Sequence, residues 1–68
     1  MDAATYEMVL TAYDETVRDA RGQGQGADVA HREGITAAAM CLAAMTGIQD
    51  AAARAEVEGL DLAKQLAA

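Results

Sequence analysis

The chain has 68 residues and a formal charge of −6, with a sequence pI near 4.3, so it holds one small domain at most. Five Lys and Arg stand against eleven acids, which leaves no basic cluster for phosphates and excludes direct nucleic-acid binding and attraction to anionic membranes. Eighteen residues are Ala, Pro, Phe, Trp, Ser and Asn are absent, and Tyr6 and Tyr13 are the only aromatics; strand formers and turn residues are scarce, so an all-α fold is expected over 1–68.

Asp2 is placed to cap a first helix running to about Arg21. Tyr6, Val9, Leu10, Tyr13, Val17 and Ala20 recur at helical spacing and form one apolar stripe. Glu7, Met8, Thr11, Asp14, Glu15 and Asp19 fall on the other faces, and Asp14 can pair with Arg18 at i, i+4. Gly22-Gln23-Gly24-Gln25-Gly26 then reads as a mobile linker over 22–27, with Gly22 in the left-handed position after the helix. No strand precedes it and no Gly-Lys-Ser/Thr follows, so it is not a phosphate-binding loop.

Asp28 is the expected N-cap of a second helix over 28–46. One face carries His31, Gly34, Ile35, Ala38, Cys41, Leu42 and Met45; Val29, Thr36, Met40 and Ala43 lie opposite. From Ala37 to Met45 no polar residue occurs on any face. A helix apolar all round is buried all round, and two neighbours in so short a chain can scarcely surround it. Self-association through Ile35, Ala38, Met40, Leu42 and Met45 into a homodimeric helical bundle is the expectation. The thin core points the same way: each buried Ala carbon contributes roughly 0.8 kcal/mol against about 1.5–3 for a Leu or Ile, and small scaffolds without disulfides or metal commonly oligomerise.

Gly47 is placed to end the second helix with Ile48 in apolar contact, and Thr46-x-x-Gln49 fits a capping box for a third helix over 48–66. So short a joint predicts an antiparallel αα-hairpin. Ile48, Ala51, Ala52, Ala55, Gly59, Leu62 and Leu66 form the expected inward stripe, with small residues allowing close approach to Gly34 and the Ala run; Val57 and Leu60 project elsewhere. The helix is taken as continuous through Gly59, the alternative being a break there with Asp61 capping a short terminal piece. The whole is a three-helix domain, with helix one packed across the hairpin.

Few residues suggest chemistry. His31 and Cys41 share a face but lie ten residues apart, about 15 Å along a helix, which rules out direct contact. Asp28-x-x-His31 has the acid-x-x-His spacing of di-metal bundles, yet no inward carboxylates accompany it; Asp28 is read as a cap, His31 as a packed residue, and no metal or cofactor is assigned. The carboxylates at Asp14-Glu15, Glu56-Glu58 and Asp61 lie on solvated faces with Arg18, Arg54 and Lys64 interspersed, not in a desolvated cleft. A lone Cys41 and an acid-rich start rather than a signal peptide make the cytoplasm the expected compartment.

These observations favour a non-enzymatic protein-binding module. Glu7, Met8, Thr11, Asp14, Glu15 and Asp19 form its candidate contact face, and a basic protein surface is the charge-complementary partner. Small size and negative charge are shared with phage-encoded inhibitors of nucleic-acid-binding machines, anti-CRISPR proteins among them, which block basic channels; the analogy rests on those two properties alone. A homo-oligomeric assembly subunit is the alternative, and a metal-binding bundle the third.

Overall fold

The computed structural model describes residues 1–67, and all regular structure among them is helical. The elements are α1 (Ala3–Gly22), α2 (Ala27–Thr46), α3 (Asp50–Gly59) and α4 (Leu62–Ala67). α1 packs along α2, α3 packs on α2, and α4 reaches back to α1. The two long helices begin and end close to the positions expected of them. The third is broken in two.

Asp2 caps α1 as its chemistry suggests, its carboxylate accepting from the Thr5 N–H at 2.8 Å. That bond, to the backbone N–H first and with the Thr5 side chain adding to it, holds the Asp2 carboxyl below its ordinary value. Gly47 ends α2 at φ +75 with its N–H on the Ala43 carbonyl at 2.8 Å, as expected of a left-handed cap.

The segment after α1 is a hydrogen-bonded turn rather than a free linker. Gly24 N–H reaches the Arg21 carbonyl at 3.0 Å and Gln25 N–H the Ala20 carbonyl at 3.1 Å, the paired bonds of a Schellman motif. The left-handed residue is therefore Gly24, at φ +86, two places beyond Gly22. A helix continues through Gly22 because the motif closes only where the next Gly allows positive φ.

Two other caps differ from expectation. The N-cap of α2 is Gly26, and Asp28 lies inside the first turn, where its charge still suits the helix dipole. No capping box forms at α3: Gln49 is the N-cap without a side-chain bond, and Thr46 Oγ1 instead donates to the Leu42 carbonyl at 2.7 Å. Between α2 and the C-terminal helices the chain turns through 120°, so the pair is crossed, short of a full antiparallel reversal.

The core consists of Val9 and Tyr13 from α1, Ile35, Ala38, Ala39 and Leu42 from α2, Ala53 and Val57 from α3, and Leu62 from α4. The stripe expected on the third helix is displaced. Ala51, Ala52, Ala55 and Gly59 are exposed, while Ala53 and Val57, with no exposed surface, face inward. The break explains how Val57 and Leu62 are both buried. Five residues on one helix would set them about 140° apart. Ending α3 and placing Asp61 at φ +53 returns Leu62 to the core at 1 % exposure. A left-handed residue costs roughly 1–2 kcal/mol, with Asp among the more tolerant types, against about 1.5–3 kcal/mol for burying a Leu.

The close approach at Gly34 is to α1, not to the third helix. A Cβ there would meet Val17 at 2.7 Å and the Tyr13 ring at 2.8 Å. The accessible surface is 4274 Å², near the roughly 4,000 Å² of a compact 7 kDa monomer. One polypeptide thus shelters the apolar side of α2 that was expected to need a second.

Candidate functional site

The solvent face of α1 keeps its expected composition. Val9, Tyr13 and Ala20 turn inward, which fixes Glu7, Met8, Thr11, Glu15 and Asp19 outward, all exposed; Asp14 is half-buried. Asp14 accepts from Arg18 Nε at 3.1 Å, and Asp19 accepts from the Gln23 amide at 3.3 Å. Among the described residues Glu7 and Glu15 take part in no hydrogen bond or ion pair, and Met8 between them is 54 % exposed. The face carries a row of carboxylates, with Met8 beside it among Ala4, Thr5, Thr11 and Ala12.

The residues expected to self-associate divide into two groups. Ile35, Ala38 and Leu42 are at most 5 % exposed and belong to the chain's own core. They are not available to a partner. Met40, at 67 % exposed, and Met45, at 42 %, do reach solvent. Ile35, Ala38 and Leu42 share one core with Val9 and Tyr13 of α1 and Ala53 and Val57 of α3, so two neighbouring helices suffice to cover this side of α2.

Around Met40, one of the residues expected to self-associate, lies a surface whose polar border was not expected. Met40, Thr36, Ala39, Asp50 and Arg54 line one depression between α2 and α3. A second adjoins it, lined by Arg32, Glu33, Thr36, Ala37 and Met40. Arg54 is held across the first: its Nη2 donates to Thr36 Oγ1 at 2.7 Å, and that hydroxyl donates to the Arg32 carbonyl at 3.1 Å. The available signal was Met40 on the uncharged stretch of α2 with Arg54 one helix away.

The remaining polar cluster joins α1 to the start of α2. Tyr13 is 3 % exposed, and its hydroxyl lies 2.7 Å from His31 Nδ1, the rings meeting edge to face at 75°. A buried Tyr needs a partner for its hydroxyl, and His31 on the facing helix supplies it. Burial, and after it the negative charge of Asp61, raises the Tyr13 hydroxyl above its ordinary pKa. Tyr13, Val17, Arg21, Asp28, His31 and Ala63 border an open groove here.

His31 and Cys41 are not brought together. His31 is bonded to Tyr13, and the Cys41 thiol lies 3.8 Å from the Met45 sulfur. Asp28 and His31 share the groove, but among the described residues no three His, Cys, Asp or Glu side chains gather as a metal site. Among the described residues no single helix is long and apolar enough to cross a membrane. Comparison with protein-family models, with curated proteins and with solved structures finds no match.

Proposed function

We propose that the chain is a non-enzymatic, cytoplasmic binding module that docks the acidic face of α1 on a basic protein surface. The observation supporting this reading is an exposed helix surface that carries Met8 together with Glu7 and Glu15, whose carboxylates have no partner among the described residues. A carboxylate without an internal partner keeps its full capacity for charge-assisted bonds to Arg or Lys, and an exposed apolar side chain on the same helix is a suitable anchor. Carboxylates repeated along a rigid helix offer the same charge as a phosphate row. The favoured target is accordingly a surface that otherwise holds nucleic acid, which the module occupies and blocks. The module acts as a homodimer, presenting two such faces.

The test is a photo-crosslinking residue at Thr11 in the native host, followed by affinity measurements with the captured protein. The expected result is a crosslink to a Lys- and Arg-rich surface, with affinity falling as salt rises and lost in Glu7→Lys/Glu15→Lys. Crosslinks to its own copies alone would favour an assembly subunit, and an affinity indifferent to both salt and charge reversal would refute the acidic-face reading.

A further inference from the structure

The α2–α3 face around Met40 has a charge arrangement that suits one occupant above others. Its rim carries Arg54 and Asp50 on α3, with Arg32 and Glu33 at the start of α2. A uniformly basic or acidic partner would gain from two of these charges and be repelled by two. A partner carrying both signs in reversed order would satisfy Arg54 and Asp50 together. Such a partner already exists in another copy of the chain.

The register can be worked out from contacts within one chain. The bond from Arg54 to Thr36 sets Arg54 level with Thr36 on α2. Asp50 lies one turn earlier on α3, nearer the joint, and shares a depression with Met40. Thr36 and Arg54 therefore define one level along α2, and Asp50, displaced toward Met40 and sideways along the oblique α3, defines a second. A two-fold axis in the plane of contact, perpendicular to α2 and midway between these levels, exchanges them. Arg54 of each copy then faces Asp50 of the other. The same operation sets each Met40 opposite the partner's Thr36, beside the depression bounded by Arg32, Glu33 and Ala37.

We infer that this face is an isologous homodimer interface, with α2 antiparallel to its symmetry mate, Met40 as the knob and two reciprocal Arg54–Asp50 pairs fixing register. Self-complementarity under a two-fold is what a closed dimer requires. From Thr36 to Thr46 α2 carries no charge, so the seam itself desolvates no ion. Ala37, beside Met40 on this face, allows close approach of the helix axes. The inference refines the homodimer part of the proposed function and does not depend on the acidic face of α1.

Sedimentation velocity on the full chain over a micromolar to millimolar series tests it, with circular dichroism reporting the fold of each variant. Met40, Asp50 and Arg54 are exposed, so their variants should stay helical. Arg54→Asp and Asp50→Arg are each expected to weaken dimerisation by about tenfold or more, since each turns two attractive pairs repulsive. The double swap, Arg54→Asp with Asp50→Arg, restores both pairs with signs reversed and should recover most of the loss, a coupling no independent pair of sites would show. Met40→Glu should give monomer. A dimer indifferent to all four variants, or a double swap no better than its singles, would overturn this interface while leaving the homodimer standing. A chain monomeric throughout would overturn both, and the acidic-face reading would be unaffected.

Discussion

The Tyr13 hydroxyl and His31 Nδ1, eighteen residues apart in sequence, lie 2.7 Å from one another across the α1–α2 contact. The pair gives the hydroxyl of the buried Tyr13 a partner and leaves the imidazole at the surface. It ties the two longest helices together beside their connecting turn.

Tyr13→Phe keeps the ring packing and removes the bond. The expected loss is about 0.5–1.5 kcal/mol, toward the lower end because the exposed His31 nitrogen can bind water instead. Urea unfolding at neutral pH measures it. The same variant checks a pH dependence. The folded-state pKa of Tyr13 is raised, by burial first and by Asp61 second, so the folded state holds its proton more tightly than the unfolded chain. Stability from this group is complete below the unfolded value of about 10 and declines as pH rises past it. Tyr13→Phe should flatten that alkaline decline, and Asp61→Asn should lessen it.

Gly34→Ala should destabilise, although Ala is the better helix former by about 1 kcal/mol. The new Cβ would stand 2.7 Å from Val17 Cγ2 and 2.8–2.9 Å from the Tyr13 ring. The ring cannot swing aside without stretching its bond to His31. Overpacking costs typically 1–3 kcal/mol, so a net loss of about 1 kcal/mol is expected, a fall in Tm of roughly 4–8 °C. A Tm equal to or above the parent's would show that α1 and α2 can separate freely.

At Asp61 the backbone decides the outcome. A β-branched residue at φ +53 is strained, so Asp61→Val should cost on the order of 1–2 kcal/mol. Asp61→Gly should be neutral or slightly stabilising, since Gly adopts positive φ freely. Thermal melts of both variants make the comparison. Equal losses in the two would mean that the carboxylate, not the conformation, matters.

Leu42 and Met40 lie two residues apart on α2 and should behave oppositely. Leu42 is 1 % exposed and Met40 67 %. Leu42→Ala opens a cavity among Val9, Ala38 and the other core residues, with an expected loss of about 2–5 kcal/mol. In so small a domain that is enough to unfold much of the population. Met40→Ala should change the stability of the folded monomer by no more than about 0.5 kcal/mol. Chemical denaturation at low protein concentration, where association does not contribute, checks both.

The sequence by itself determined what depends on near neighbours. The helical class follows from Ala content, the caps at Asp2 and Gly47 from local hydrogen bonding, and the inward stripe of α1 from large apolar residues at helical spacing against charged ones. The acidic outer face of α1 was legible for the same reason: strong contrast between its sides. Beyond Gly26 that contrast fades. In α2 and α3 most positions are Ala, Gly or a small apolar residue, and rotating such a helix changes the burial energy little.

Tertiary structure decided the rest, because those choices are made by shape between segments distant in the chain. Gly34 turns to α1 because only there do Val17 and Tyr13 need its missing Cβ. Ala53 and Val57 face inward in place of Ala51, Ala52 and Ala55, and Asp61 takes a left-handed conformation, because together these bring Val57 and Leu62 onto one core. With that core closed inside one chain, Ile35, Ala38 and Leu42 became interior, and Met40 was left outside. Periodicity can show that a helix has an apolar side; when several sides qualify, only the fit of its neighbours selects one.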